Sequence, residues 1–265
     1  MKITLLISIF IYFLILASMY IFQRKIMYLP LKGEPNIKSI VGIEKIFLTT
    51  KDNVKITALY TQQKESKPLI VYFHGNASNV TADYRVYRFN KFIEAGYGLL
   101  AVSYRGYADS EGSPSEEGLY NDARAAIEYL LNEKKLKRNK IVLFGESLGS
   151  GVAVQMATEY SFKAIMLDSP YTSTVNRAEE LYPFLPIEFL MKDKFESFKK
   201  ISNIHKMKVI IFHGYEDEVI PIEHGRKMFS LANEPKTAHF QEGVTHVETP
   251  MDIILEELNL LNEIE

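Results

Sequence analysis

A chain of 265 residues with 47% hydrophobic and 24% charged side chains has the composition of one globular domain, with enough apolar residues for a single large core. Its formal charge of -2, without any block of Lys and Arg, excludes a phosphate-reading surface, so no nucleic acid partner is expected. Zero Cys excludes disulfides, thiolate metal ligands and a sulfur nucleophile; any nucleophile here must be an oxygen.

The first element is apolar. Ile3 to Phe22 carries no formal charge and has only Thr4, Ser8 and Ser18 as small polar residues. At about 1.5 Å per residue such a helix spans roughly 30 Å, one bilayer crossing. A cleaved signal peptide has a shorter apolar region, usually about 7 to 15 residues, followed by a small-residue site, and Ser18-Met19-Tyr20-Ile21 is a poor one. A buried soluble helix would keep a polar stripe, which this segment lacks. Residues 1–25 are therefore read as a single-pass membrane anchor, 26–42 as a linker and 43–265 as the folded domain. Lys2 precedes the span and Arg24, Lys25, Lys32 and Lys38 follow it, a distribution that favours a cytosolic folded domain.

Beyond the linker, short β-rich runs alternate with longer helical patterns, as in an α/β fold whose mostly parallel sheet carries helices on both faces. Strands are expected at Ile43 to Thr50, Val54 to Gln62, Leu69 to Phe73, Gly98 to Ser103, Lys140 to Phe144, Ala164 to Asp168, Lys208 to His213 and Thr237 to Phe240. The first two read as an antiparallel hairpin turning at Lys51-Asp52-Asn53. Leu69 to Phe73 and Val209 to Phe212 are apolar throughout, as when both faces of a strand are buried. Helices are expected at Val80 to Glu94, Pro114 to Lys134, Leu148 to Tyr160, Ile222 to Ala232 and Pro250 to Leu261. In Ser113-Pro114-Ser115-Glu116, Ser113 reads as the cap, Pro114 as the first helical residue and Glu116 as the third. Residues 170–205, broken by Pro170, Pro183 and Pro186, read as a small inserted lid.

Chemistry concentrates at Gly145-Glu146-Ser147-Leu148-Gly149, a GxSxG pentapeptide between the fifth strand and a helix. Its glycines remove Cβ atoms where a sharp strand-to-helix turn is crowded, leaving Ser147 exposed as a candidate nucleophile. A serine hydroxyl needs a base to take its proton, and the base needs an acid to orient it. In this architecture acid and histidine follow the serine in that order, on loops after later strands. His246, beyond the last strand, is the base by position; the loop His213 to Pro221 offers Glu216, Asp217 and Glu218 as the acid. The N–H of Leu148, directly after the serine, is one candidate donor to a developing oxyanion.

Taken with Gln23-Arg24-Lys25, Tyr28, Pro30, His74-Gly75-Asn76-Ala77, Tyr104-Arg105-Gly106-Tyr107 and Thr245-His246, these motifs resemble the α/β-hydrolase fold along nearly the whole chain. Within that fold they resemble the membrane-tethered Bem46-like group. The resemblance implies Asp217 as the acid and the N–H of Asn76 as the second oxyanion donor, the Asn76 side chain holding its loop in shape. It also implies that Arg105 pairs within its own loop. Where the group has Asn after the histidine, this chain has Val247-Glu248.

The expected function is a cofactor-free serine hydrolase cleaving a carboxylic ester or acyl thioester through an acyl-enzyme. An apolar acyl group fits the lid beside an anchor, and the substrate is a small molecule or lipid-linked. A serine peptidase or amidase of the same fold and a non-catalytic membrane-tethered scaffold are the alternatives. No obligate protein partner is inferred. His74 and His213 read as structural, and His205, His224 and His239 as surface or partly buried, with no neighbours at metal-ligand spacing and no metal site expected. The glycines at 145 and 149 lack the Lys-Ser or Lys-Thr of a phosphate loop. The lid aromatics Tyr182, Phe184, Phe189 and Phe195 read as packing residues.

Overall fold

The computed structural model describes residues 2–263; Met1, Ile264 and Glu265, the outermost residues of the expected anchor and domain, lie outside them. The strands are β1 (Glu44–Thr49), β2 (Lys55–Thr61), β3 (Leu69–Phe73), β4 (Gly98–Ser103), β5 (Ile141–Glu146), β6 (Ala164–Asp168), β7 (Lys208–Gly214) and β8 (Lys236–Gln241). They form one eight-stranded sheet in the order β1-β2-β4-β3-β5-β6-β7-β8. Only β2 runs against its neighbours. The helices are α1 (Lys2–Met27), α2 (Asp83–Glu94), α3 (Glu116–Glu128), α4 (Leu148–Glu159), α5 (Thr174–Leu181), α6 (Ile187–Leu190), α7 (Ser197–Lys200), α8 (Ile222–Leu231) and α9 (Met251–Glu263).

The uniformly apolar strands divide their side chains between two cores. Leu69, Val71 and Phe73 of β3 point to the face covered by α3, α4 and α8, with Leu119, Val152 and Met228. Ile70 and Tyr72 point to the face covered by α2 and α9, with Phe89, Phe92, Ile254 and Leu258. Each such side chain removed from water stabilises the fold by about 1.5–3 kcal/mol, so both helical layers are held firmly to the sheet.

Several local expectations are corrected. The third helix is capped by Ser115, not Ser113: the extended Ser115 accepts from the N–H of Gly118 at 3.1 Å, and Pro114 stands outside the helix. Glu116 is thereby the first helical residue, and its side chain turns to Tyr120 and to the N–H of Lys194. The α-helix ends at Glu128 and widens into a π-turn over Tyr129–Glu133. The second helix begins at Asp83, Val80 lying in the preceding turn, because Asn79 caps a turn on Thr81 instead. Lys140 belongs to a 3-10 turn, and β5 extends to Glu146, directly before the serine.

Residues after α1, expected as a linker, are sewn to the body. Tyr28 is buried, Leu31 and Ser78 share a backbone hydrogen bond, and Leu31 and Gly33 pair with Ala108. The backbone pairs locally with the loops after β3 and β4, which an unstructured spacer would not do. Within 170–205 lie α5, α6 and α7 and a 3-10 turn at Ile201–Asn203. There Val175, Leu185 and Ile187 make a satellite core against Leu16 and Met19 of α1. Of the four lid aromatics, Phe195 is buried, but Phe184 is 70% and Phe189 87% exposed, so these two do not pack within the fold.

Candidate active site

Ser147 is held at φ 49°, ψ -117°, a conformation an L residue adopts only when its surroundings enforce it. Enforcement comes from both sides. The Ser147 N–H donates to the Asp168 carbonyl at 2.9 Å, and its carbonyl accepts from Ser150 at 2.8 Å. A Cβ on Gly145 would stand 2.6 Å from the Gly149 carbonyl oxygen, and one on Gly149 would overlap the carbonyl of Phe73. Only glycine at both positions lets α4 start so close to β3 and β5.

The hydroxyl so presented meets the expected partners. Ser147 Oγ lies 2.9 Å from His246 Nε2, and His246 Nδ1 lies 2.8 Å and 3.0 Å from the two oxygens of Asp217. A carboxylate can only accept, so Nδ1 carries the proton and Nε2 is left as the acceptor for the serine hydroxyl. Of the three acids that spacing left open, Asp217 is the one that contacts His246 among the described residues; Glu216 and Glu218 make no such contact. Asp217 also accepts from the N–H groups of Val219 and Ile220 at 3.0 Å and 2.8 Å. Burial alone would raise its pKa, but hydrogen bonds from His213, His246 and Ile220 outweigh it and hold the carboxyl well below the usual range.

Asn76 lies on the loop facing the elbow. Its side chain donates to the Met27 carbonyl and accepts from the Leu29 N–H at 3.2 Å and the Tyr107 hydroxyl at 2.7 Å, which ties the loop to the end of α1. Among the described residues no hydrogen bond takes up the N–H of Asn76 or of Leu148. Both residues border, with Ser147, a cavity of about 330 Å³. The rest of its wall is mostly apolar, from α1 (Met19, Ile26) and from the lid (Leu181, Leu190).

Beneath this floor lies a polar network that the sequence reading did not identify. Glu146, fully buried, accepts from Arg85 at 2.7 Å, from Tyr84 at 2.7 Å, from Tyr72 and from the Gly75 N–H at 3.0 Å. Arg85 reaches on to Ser78 and the Asn79 carbonyl, while Arg88 bridges Asp168 at 2.9 Å and the Val247 carbonyl at 3.0 Å. The loop of Asn76, the strand end before Ser147 and the loop of His246 are thus tied together through two buried guanidiniums. Burial would raise the Glu146 pKa, but Arg85 and Arg88 override it and hold the carboxyl well below its ordinary value. A signal for this existed: Arg85 and Arg88 share a face of α2 with Phe89 and Phe92, and a charge on an apolar face needs a buried partner.

The remaining histidines separate clearly. His74 is buried against Tyr104 and Tyr107 with Nδ1 2.7 Å from the Gly75 carbonyl, and burial pushes its pKa down to about 3, so it is neutral and structural. His213 stands 3.4 Å from Asp217, closer to the chemistry than a remote structural role implies. His224, expected at the surface or partly buried, is buried between Thr172 and Glu180 of the lid. Arg105 pairs not within its loop but with Asp52 of the β1–β2 turn and Asp122 of α3, while Asp109 of that loop binds Lys45 and Thr57. Among the described residues no group of three or more His, Asp or Glu could hold a metal ion.

Comparison with known proteins agrees with this architecture. The model of the alpha/beta hydrolase fold matches residues 68–191. An uncharacterized protein of Mycobacterium tuberculosis is 32% identical over 230 residues, covering 84% of this chain and 80% of its own. The Bem46 protein of Schizosaccharomyces pombe is 29% identical over 250 residues, covering 88% and 83%. The esterase Pf2001 of Pyrococcus furiosus shares the fold with a TM-score of 0.69 at 21% identity, over 89% of this chain and 94% of its own. The chain belongs to the α/β-hydrolase fold family, in its Bem46-like group. It is a hydrolase by that membership, and α1 is long and apolar enough to cross a membrane.

Proposed function

We propose that the protein is a membrane-anchored serine hydrolase that cleaves a carboxylic ester or acyl thioester carrying an apolar acyl group. In this reading residues 1–25 anchor the chain, 43–265 form the catalytic domain and 170–205 its lid. Ser147 is the nucleophile, His246 the general base and then acid, and Asp217 the group that fixes the imidazole and stabilises its protonated form. The single observation that carries the reading is the chain of contacts Ser147 to His246 to Asp217, at 2.9 Å and 2.8 Å, opening onto an apolar cavity.

His246 takes the proton as Ser147 Oγ attacks the acyl carbon; the N–H groups of Asn76 and Leu148 receive the oxyanion, and the imidazolium returns the proton to the leaving alcohol or thiol. Water, deprotonated by the same imidazole, then releases the acid. Each oxyanion donor is worth about 3–4 kcal/mol of barrier in enzymes of this kind. Ser147→Ala is expected to abolish labelling by a fluorophosphonate probe while circular dichroism stays unchanged, because a hydroxyl at an exposed elbow contributes little packing. Undiminished labelling of that variant would remove the assignment. The lining of the cavity supports an ester or thioester with an apolar acyl group over a peptide, whose backbone would need polar partners there.

A further inference from the structure

The anchor and the lid are not independent. Within α1, up to Met27, the residues drawn partly out of solvent are Leu16, Met19, Gln23 and Met27, a stripe on one helical face. The lid covers that stripe from Leu16 to Gln23, while Met27 packs on the main core. The Tyr12 hydroxyl donates to the Phe184 carbonyl at 3.2 Å, Leu16 and Met19 pack on Val175, Leu185 and Ile187, and Gln23 clasps the lid backbone twice, donating to the Leu190 carbonyl at 2.9 Å and accepting from the Lys192 N–H at 2.7 Å. Arg24 closes the seam with a bidentate pair to the buried Asp193, at 2.7 Å and 2.9 Å.

From Phe22 back to Tyr12 is about 15 Å of helix, roughly half the hydrocarbon core of a bilayer. If α1 crosses the membrane, the lid turn at Phe184 lies at that depth. Its chemistry suits the place: Phe184 and Phe189 are exposed to solvent in the isolated chain, and the Phe184 carbonyl facing α1 is satisfied by Tyr12, as a group in hydrocarbon must be. Met19 and Ile26 of α1 and Leu181 and Leu190 of the lid line the same cavity as Ser147.

We propose that α1 is one wall of the acyl site and that the lid sits within the adjoining lipid leaflet, so that the substrate is an ester of a membrane lipid whose acyl chain enters laterally between α1 and the lid. This rests on the serine hydrolase reading and adds the source of the substrate. A cavity of about 330 Å³ is at the small end for ligand sites, which suits one acyl chain better than two.

The test uses the full chain in phosphatidylcholine vesicles. Met19→Trp and Ile26→Trp, which fill the α1 wall, are expected to lower the ratio of kcat/KM for p-nitrophenyl laurate over butyrate by about tenfold or more, the discrimination an apolar pocket gives for a methylene or two. Because the chain has no Cys, Phe184→Cys carries a single environment-sensitive dye. Its emission is expected to be quenched by a nitroxide placed midway along the lipid acyl chains and not by aqueous iodide. An unchanged ratio with fluorophosphonate labelling retained, or quenching by iodide alone, overturns the proposal while sparing Ser147. A wild-type chain that takes no fluorophosphonate overturns the Ser147 reading and the acyl site with it.

Discussion

The two sides of Ser147 are built by opposite means. On one side charge is buried and paired: Glu146, Arg85, Arg88 and Asp168 lock three loops with ion pairs as short as 2.7 Å. On the other, α1 and the lid meet through a small apolar cluster and a few hydrogen bonds at its edge. The first side can hold reacting groups in one geometry because a broken buried pair leaves a charge without water. The second side is held by a few hydrogen bonds and one ion pair at its end, Arg24 to Asp193, so it parts at lower cost than the first. In the proposed reaction, rigidity is placed where protons move and compliance where an acyl chain must pass.

The largest expected effect falls at His246, whose loop the rigid side holds through Arg88 and the Val247 carbonyl. Asp217→Asn leaves the loop intact but cannot hold His246 in the tautomer that accepts from Ser147, so kcat should fall by roughly 10⁴ in a single-turnover ester assay. A loss under tenfold would show that Asp217 does not orient the base. Next is Glu146→Gln, which leaves Arg85 without its counter-charge and should destabilise the fold by about 3–5 kcal/mol in urea unfolding. Because the folded pKa of Glu146 lies below the unfolded value of about 4.3, its stabilisation is complete above that pH and is lost as pH falls toward the folded value. The variant should therefore show a flatter stability curve below pH about 4.3 than the wild type. If the two curves run parallel, the network does not hold its charge.

The compliant side should respond more weakly. Arg24→Ala removes two charge-assisted hydrogen bonds to buried Asp193, and the partial exposure of Arg24 limits the loss to about 1.5–3 kcal/mol, read as easier proteolysis of the lid. The smallest effect concerns the histidine loop. Val247 sits at φ 54°, where a β-branched residue is strained, held by Ser169 and Arg88. Val247→Asn, the residue the resembled group carries, should raise stability by about 1 kcal/mol in the same unfolding assay. No gain would mean that Val247 is not strained there.

What the sequence disclosed follows the range of the interactions concerned. Leu69 to Phe73, Gly98 to Ser103 and Ala164 to Asp168 have the bounds read from the chain, because a strand buried on both faces is written in consecutive residues. The elbow was equally legible from its pentapeptide, although the crowding its glycines answer comes from Phe73, His74, Ser150 and Ala153 as well as from the pentapeptide itself. Ser113 was read as the cap because Pro114 fits a first helical position, but only the fold decides which hydroxyl faces Gly118, and it is that of Ser115. Glu146 was hidden for the opposite reason: its partners at Arg85 and Arg88 are about sixty residues away and meet it only across the sheet. The covered stripe on α1 escaped because Leu16 and Met19 are as apolar as their exposed neighbours.

That stripe sets a requirement of rotational phase. Each residue turns an α-helix by about 100°, so inserting or deleting one between Met19 and Gln23 would swing Met19 away while Gln23 and Arg24 kept their grip. A foreign apolar helix of equal length would present no matching surface. Helix α1 is thus not an interchangeable part, and its sequence is answerable to the residues it packs on as well as to its own hydropathy.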